Sequence, residues 1–231
     1  MEIRRKRELK IGIFIKSLAI LFSVYGMVKN YSDWMFFTYF TNLSNIFVDL
    51  VLAYFLGKDL RACKSGKREC SNTAYRVKFL ATISITLTFL VFMFILAPNT
   101  EGGFFNAYFR NGAASFGVHF ANPLLAIVDF FLCDYAFASK RKDVVYGVIP
   151  PLSYVAVILV LSGLGVRWGN NMYAPYNFLN FGAKVGWFGF DLSTMGAESF
   201  GVGVFYMIAV LLLIFLGLGK LFLVIKDLRK K

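Results

Sequence analysis

The stretch Phe36-Phe37-Thr38-Tyr39-Phe40-Thr41-Asn42-Leu43-Ser44-Asn45-Ile46-Phe47-Val48-Asp49 decides how this chain is read, because polar residues interrupt a segment otherwise apolar enough to cross a bilayer. Polar groups at membrane depth are expensive, so each calls for a reason. At 3.6 residues per turn Thr38, Thr41, Asn45 and Asp49 fall on one helix face, expected to look into the protein and away from lipid. Far downstream Ser115, His119, Asn122 and Asp129 form a second polar face, and the two faces are expected to meet.

The composition sets the surrounding medium. With 58% hydrophobic and 18% aromatic residues in 231, and a mean hydropathy of +0.63, the chain carries more apolar surface than a soluble domain of this size can hide. This makes it an integral membrane protein. The net charge of +12 does not point to nucleic acid, because the basic residues sit in short runs at the ends of apolar segments. Three cysteines, Cys63, Cys70 and Cys133, and the single histidine His119 lack metal-ligand spacing, so no Cys/His zinc site can be assembled.

Hydropathy predicts an all-α polytopic protein of six transmembrane helices. The spans run over about 11–27, 34–56, 79–97, 113–137, 144–166 and 200–225. The first is too long for a signal-peptide core and has no small-x-small site before Lys29, which predicts an uncleaved span. Lys16 is expected to snorkel to the basic amino end, Trp34 to anchor at an interface, and Asp134 to face headgroups. The hydroxyls Thr82, Ser84, Thr86 and Thr88 read as helix-packing contacts or bonds back to the preceding turn. No separate soluble domain is discernible, so residues 1–231 read as one six-span membrane domain, with an aromatic loop over about 167–198 laid over the membrane surface as a lid.

Lys and Arg flanking the spans number five at the amino end, seven in the second loop (57–78), three at Lys140-Arg141-Lys142 and four at the carboxyl end. The positive-inside rule then puts both termini in the cytoplasm and the aromatic loop outside. Under this topology Thr41 and His119 lie at similar depth, roughly 10 Å below the outer boundary at about 1.5 Å per residue. Asn45 and Asn122 lie about one turn deeper, with Asp49 and Asp129 deeper still.

A neutral imidazole within reach of a threonine hydroxyl is the minimum apparatus for attack on an ester or amide, since the hydroxyl needs a base to take its proton. Thr41 is thus the candidate nucleophile and His119 the general base, with Asn42, Asn45 or Asn122 orienting the ring or donating to an oxyanion and Thr38 in reserve. The structural alternative is that the threonines bond back to their own helix and the asparagines hold helices together. A rival function is a small proton-coupled transporter with Asp49, His119 and Asp129 along a polar path. A third is a non-catalytic membrane scaffold.

The strings Tyr39-Phe40-Thr41-Asn42-Leu43-Ser44-Asn45 and His119-Phe120-Ala121-Asn122-Pro123, with Asp129 downstream, resemble the bacterial predicted six-transmembrane family. That family is distantly similar to the animal androgen-induced membrane hydrolases, intramembrane threonine hydrolases that cleave fatty acid esters of hydroxy fatty acids. The resemblance extends more weakly to the loop around Tyr176-Asn177-Phe178. It implies Thr41 as nucleophile, His119 as its partner, a lipid ester as substrate, no metal or organic cofactor, and a bacterial cytoplasmic membrane as location.

Overall fold

A computed structural model describes residues 2–66, 68–109, 111–134, 136–196 and 198–228, with side chains from residue 9 onward except Asn99. The basic flanking residues Lys67, Arg110, Arg229, Lys230 and Lys231, and the side chains of Arg4, Arg5, Lys6 and Arg7, lie outside this description. The described chain is helical, and six of its helices are long and apolar enough to cross a membrane. They are contained in α1 (Glu2–Asn30), α2 (Phe40–Ser65), α3 (Asn72–Leu96), α5 (Ala114–Cys133), α6 (Asp143–Gly163) and α7 (Val204–Leu228), with the short α4 (Gly103–Phe109) between α3 and α5.

Two boundaries differ from the hydropathy reading in ways that matter. The second span starts at Phe40, because residues Trp34–Thr38 form a separate 3-10 turn capped by the Asp33 carboxylate on Met35 N at 2.7 Å. Thr38 therefore does not share the α2 face with Thr41; its hydroxyl donates to Met35 O at 2.6 Å within that turn. The basic second loop shrinks to residues 66–71: α2 runs on to Ser65, stopped by Gly66 at φ 75°, and α3 starts at Asn72 behind the Ser71 N-cap.

Within those charged stretches Asp59 and Lys78 are neutralised inside the bundle, while Arg61 and Lys64 stay exposed. Contacts divide the chain into two compact units, Met1–Asp143 with Phe222–Lys231, and Val144–Leu221. The first unit holds a closed ring of six alternating charges. Lys16 binds Asp59 (2.8 Å), Asp59 binds Arg68 (2.5 Å), and Arg68 binds Asp134 (3.1 Å). Asp134 binds Lys78 (2.7 Å), Lys78 binds Asp129 (2.5 Å), and Asp129 returns to Lys16 (2.5 Å). Five of the six side chains are fully buried and Arg68 nearly so. Lys16 thus does not snorkel, Asp134 does not face headgroups, and Lys78 is no loop residue. Three cations against three carboxylates cancel, which is what allows the set to be buried in an apolar bundle.

Around the ring pack Phe55, Phe79, Phe130 and Phe137, with the Lys78 ammonium 4.5 Å from the Phe55 ring centroid. The expected hydroxyl bonds of α3 are present: Thr82, Ser84, Thr86 and Thr88 each donate to the carbonyl four residues back. Ser44 on α2 also meets Thr88 at 2.8 Å.

In the second unit the 167–198 loop is built on its own hydrogen bonds. The Asn180 side chain accepts from Tyr173 N and donates to Glu198 O, both at 3.0 Å, while Arg167 lies 3.8 Å from the Tyr173 ring centroid. Phe188, Phe190, Leu192 and Met195 are exposed along it.

Candidate functional site

The two polar faces do meet, and they meet at amides. Asn45 on α2 uses both N–H groups of its side chain, donating to Thr41 O on its own helix (2.8 Å) and to Val118 O on α5 (3.2 Å). Asn122 on α5 returns the contact, its Nδ2 donating to Asn45 Oδ1 (2.8 Å) and to Asp49 Oδ1 (3.2 Å). Ser23 from α1 donates to Asn45 Oδ1 at 3.2 Å.

Val118 O is open to Asn45 for a reason written in the sequence. The chain adopts a π turn over Gly117–Ala121, closed by Asn122 N on Gly117 O. In that register the donor for Val118 O is the next residue, Pro123, which has no N–H. The Asn45 amide replaces the missing bond. A second π turn, Phe92–Leu96, ends α3 in the same way, closed by Ala97 N on Phe92 O and followed by Pro98.

His119 sits in the middle of the α5 π turn, with its ring stacked on Phe92 from the other π turn (centroids 3.6 Å, planes 10° apart). Its Nδ1 is buried without a hydrogen-bond partner among the described residues. Thr41 and His119 are each half-buried, whereas Asn45 and Asn122 are fully buried.

The remaining candidates separate into other roles. Asn42 Nδ2 donates to Phe36 O at 2.7 Å and fastens the 3-10 turn to the start of α2. Both N–H groups of Asn45 and of Asn122 are committed to protein acceptors, leaving neither amide as an oxyanion donor in this arrangement. Asp129 shares a face with Asn122 on α5 but belongs to the charge ring, with one oxygen on Lys16 and the other on Lys78.

Sequence reading passed over Tyr108 on α4. It is buried among Phe92, Phe104, Phe116 and Phe120, and its hydroxyl has no hydrogen-bond partner among the described residues. Burial pushes its phenol above the ordinary range, so it remains a neutral donor at physiological pH. It packs against the same Phe92 ring that carries His119, at 5.0 Å between centroids. Among the described residues no group of three or more His, Cys, Asp or Glu is placed to hold a metal ion.

Comparison of the chain with protein-family models, with curated proteins and with solved structures finds no match.

Proposed function

We propose that this multi-pass membrane protein is an intramembrane hydrolase of lipid esters, with Thr41 as nucleophile and His119 as general base. The observation that carries the reading is the Asn45 amide, which ties the turn bearing Thr41 to the turn bearing His119 through two carbonyls. Each catalytic side chain is then held by helix backbone and not by a loop, which is what positioning chemistry requires. His119 takes the proton from Thr41 Oγ as that oxygen attacks the ester carbonyl carbon. The alcohol leaves with the proton, and a water deprotonated by His119 then releases the fatty acid and restores the threonine. With the asparagine amides committed, the buried Tyr108 hydroxyl is the side chain we assign to the developing oxyanion.

The same proposal places both termini in the cytoplasm of a bacterial cell. The exposed Arg61, Lys64, Lys140, Arg141 and Lys142 gather at the end of the first unit that carries the charge ring, as the positive-inside rule asks of a cytoplasmic face. A substrate with a long chain and an ester near one leaflet boundary suits a half-buried pair of this kind. Labelling of the detergent-solubilised protein by an alkyl fluorophosphonate is expected, and it is expected to disappear in Thr41→Ala and to slow or disappear in His119→Ala. Full labelling of a folded Thr41→Ala protein would sink the assignment.

A further inference from the structure

Five aspartates are buried among the described residues. Asp59, Asp129 and Asp134 are neutralised in the charge ring, and Asp143 by Arg76 at 2.7 Å. Of these five, Asp49 alone has no cationic partner among the described residues. It is 8% exposed, and what surrounds it is neutral: the Asn122 amide on its Oδ1, and the Ser23 hydroxyl within hydrogen-bonding range. Its Oδ2 makes no hydrogen bond among the described residues. Nor does Asn122 Oδ1, although Asn122 is fully buried. The orientation of that amide is fixed, because Nδ2 faces two acceptors at once and a flipped amide would set oxygen against oxygen. Two orphaned oxygens, one of them anionic, therefore flank a single hydrogen bond between α2 and α5.

A buried carboxylate in a helical bundle calls for a positive charge, and the described residues supply none here. We infer that Asp49 Oδ2 and Asn122 Oδ1, with Ser23 Oγ from α1 as a third ligand, bind a sodium ion within the bundle. The chemistry of the donors selects the ion. All are oxygens, which suit a hard cation; there is no thiolate or imidazole among them to favour a transition metal. The cluster carries one negative charge, so a monovalent ion leaves it neutral while a divalent one leaves a net charge in an apolar interior. Ser23, Asp49 and Asn122 come from three helices, so the ion ties α1, α2 and α5 together beneath Thr41 and His119. The site stands whether or not Thr41 is a nucleophile.

The test compares thermal unfolding of the full chain in detergent in sodium chloride, potassium chloride and choline chloride at equal ionic strength and fixed pH. Sodium is expected to raise the melting temperature saturably over choline, as a ligand of the folded state does. Asp49→Asn is expected to fold and to lose that shift, because the amide removes the charge at nearly constant shape. Should Asp49→Asn fail to fold, Ser23→Ala supplies the reading: it retains the shift with a half-saturating sodium concentration raised severalfold. Thr41→Ala is expected to keep the full sodium response even where fluorophosphonate labelling is lost, which separates this site from the hydrolase reading. Equal melting temperatures in sodium and choline would overturn the proposal. So would a melting temperature that responds to pH through Asp49 and not to sodium, which would make the occupant a proton.

Discussion

The imidazole of His119 lies flat against the phenyl ring of Phe92, with centroids 3.6 Å apart and planes within 10° of parallel. Each ring stands on a π turn, and each π turn ends two residues before a proline, Pro98 or Pro123. The histidine is thus oriented by an aromatic surface and by helix register, leaving Nδ1 without a hydrogen-bond partner among the described residues.

Pro123→Ala tests the register. The new amide N–H can satisfy His119 O or Val118 O, letting α5 return to α-helical winding and turning His119 off the Phe92 ring. The variant is expected to be at least as stable as the wild type in thermal melts, while fluorophosphonate labelling slows by at least about tenfold, a loss of about 1.4 kcal/mol in transition-state stabilisation. Unchanged labelling would show that the π turn does not position the base.

Close packing of α1 against α5 rests on two glycines. A Cβ on Gly26 would stand 2.5 Å from Ala114 O and 2.7 Å from a Val118 methyl; one on Gly117 would stand 2.5 Å from Phe22 O. Backbone cannot yield as a side chain does, so Gly26→Ala and Gly117→Ala are each expected to cost about 1–3 kcal/mol. Gly57 is the control: it is helical in α2, and a methyl added there would meet nothing within 4 Å, so Gly57→Ala is expected to be neutral or to stabilise by up to about 1 kcal/mol. Unfolding midpoints of the three variants check the contrast.

The charge ring sets a different expectation. Asp129→Asn leaves Lys16 with Asp59 and Lys78 with Asp134, but strands three buried cations against two carboxylates, at a cost of about 3–5 kcal/mol. Adding Lys16→Met restores the balance of charge, so the double variant is expected to lose less than the sum of the two single ones. Additive losses in thermal melts would mean that the ring does not act as a unit.

Six spans were legible because hydropathy integrates over some twenty residues, and the match of Asn45 to Asn122 followed from helical periodicity. The ends of the second and third spans were not. Asp59 and Lys78 look like loop residues to any local reading, and only their partners elsewhere in the bundle make them tolerable inside it. Lys16 departs from the snorkelling expectation for the same reason, since snorkelling is the cheap option only when no buried carboxylate is waiting. Thr38 was lost from the helical face because Asp33 caps a 3-10 turn before α2 starts, a signal available in the sequence and outweighed by the run of apolar residues. The π turns left a trace in Pro98 and Pro123, but a proline alone does not say whether a helix kinks, stops or widens. Tyr108 had no trace at all: its isolation is a property of the aromatic residues gathered around it.

The hydrolase reading turns on Thr41 being the residue that attacks. To locate the nucleophile, the solubilised protein is treated with a long-chain alkyl fluorophosphonate and digested, and the adduct is mapped by mass spectrometry. A single phosphonylated site at Thr41 is expected, formed slowly or not at all in His119→Ala. An adduct on Ser44, Thr38 or any other hydroxyl, or none on a folded protein, would remove Thr41 from the chemistry.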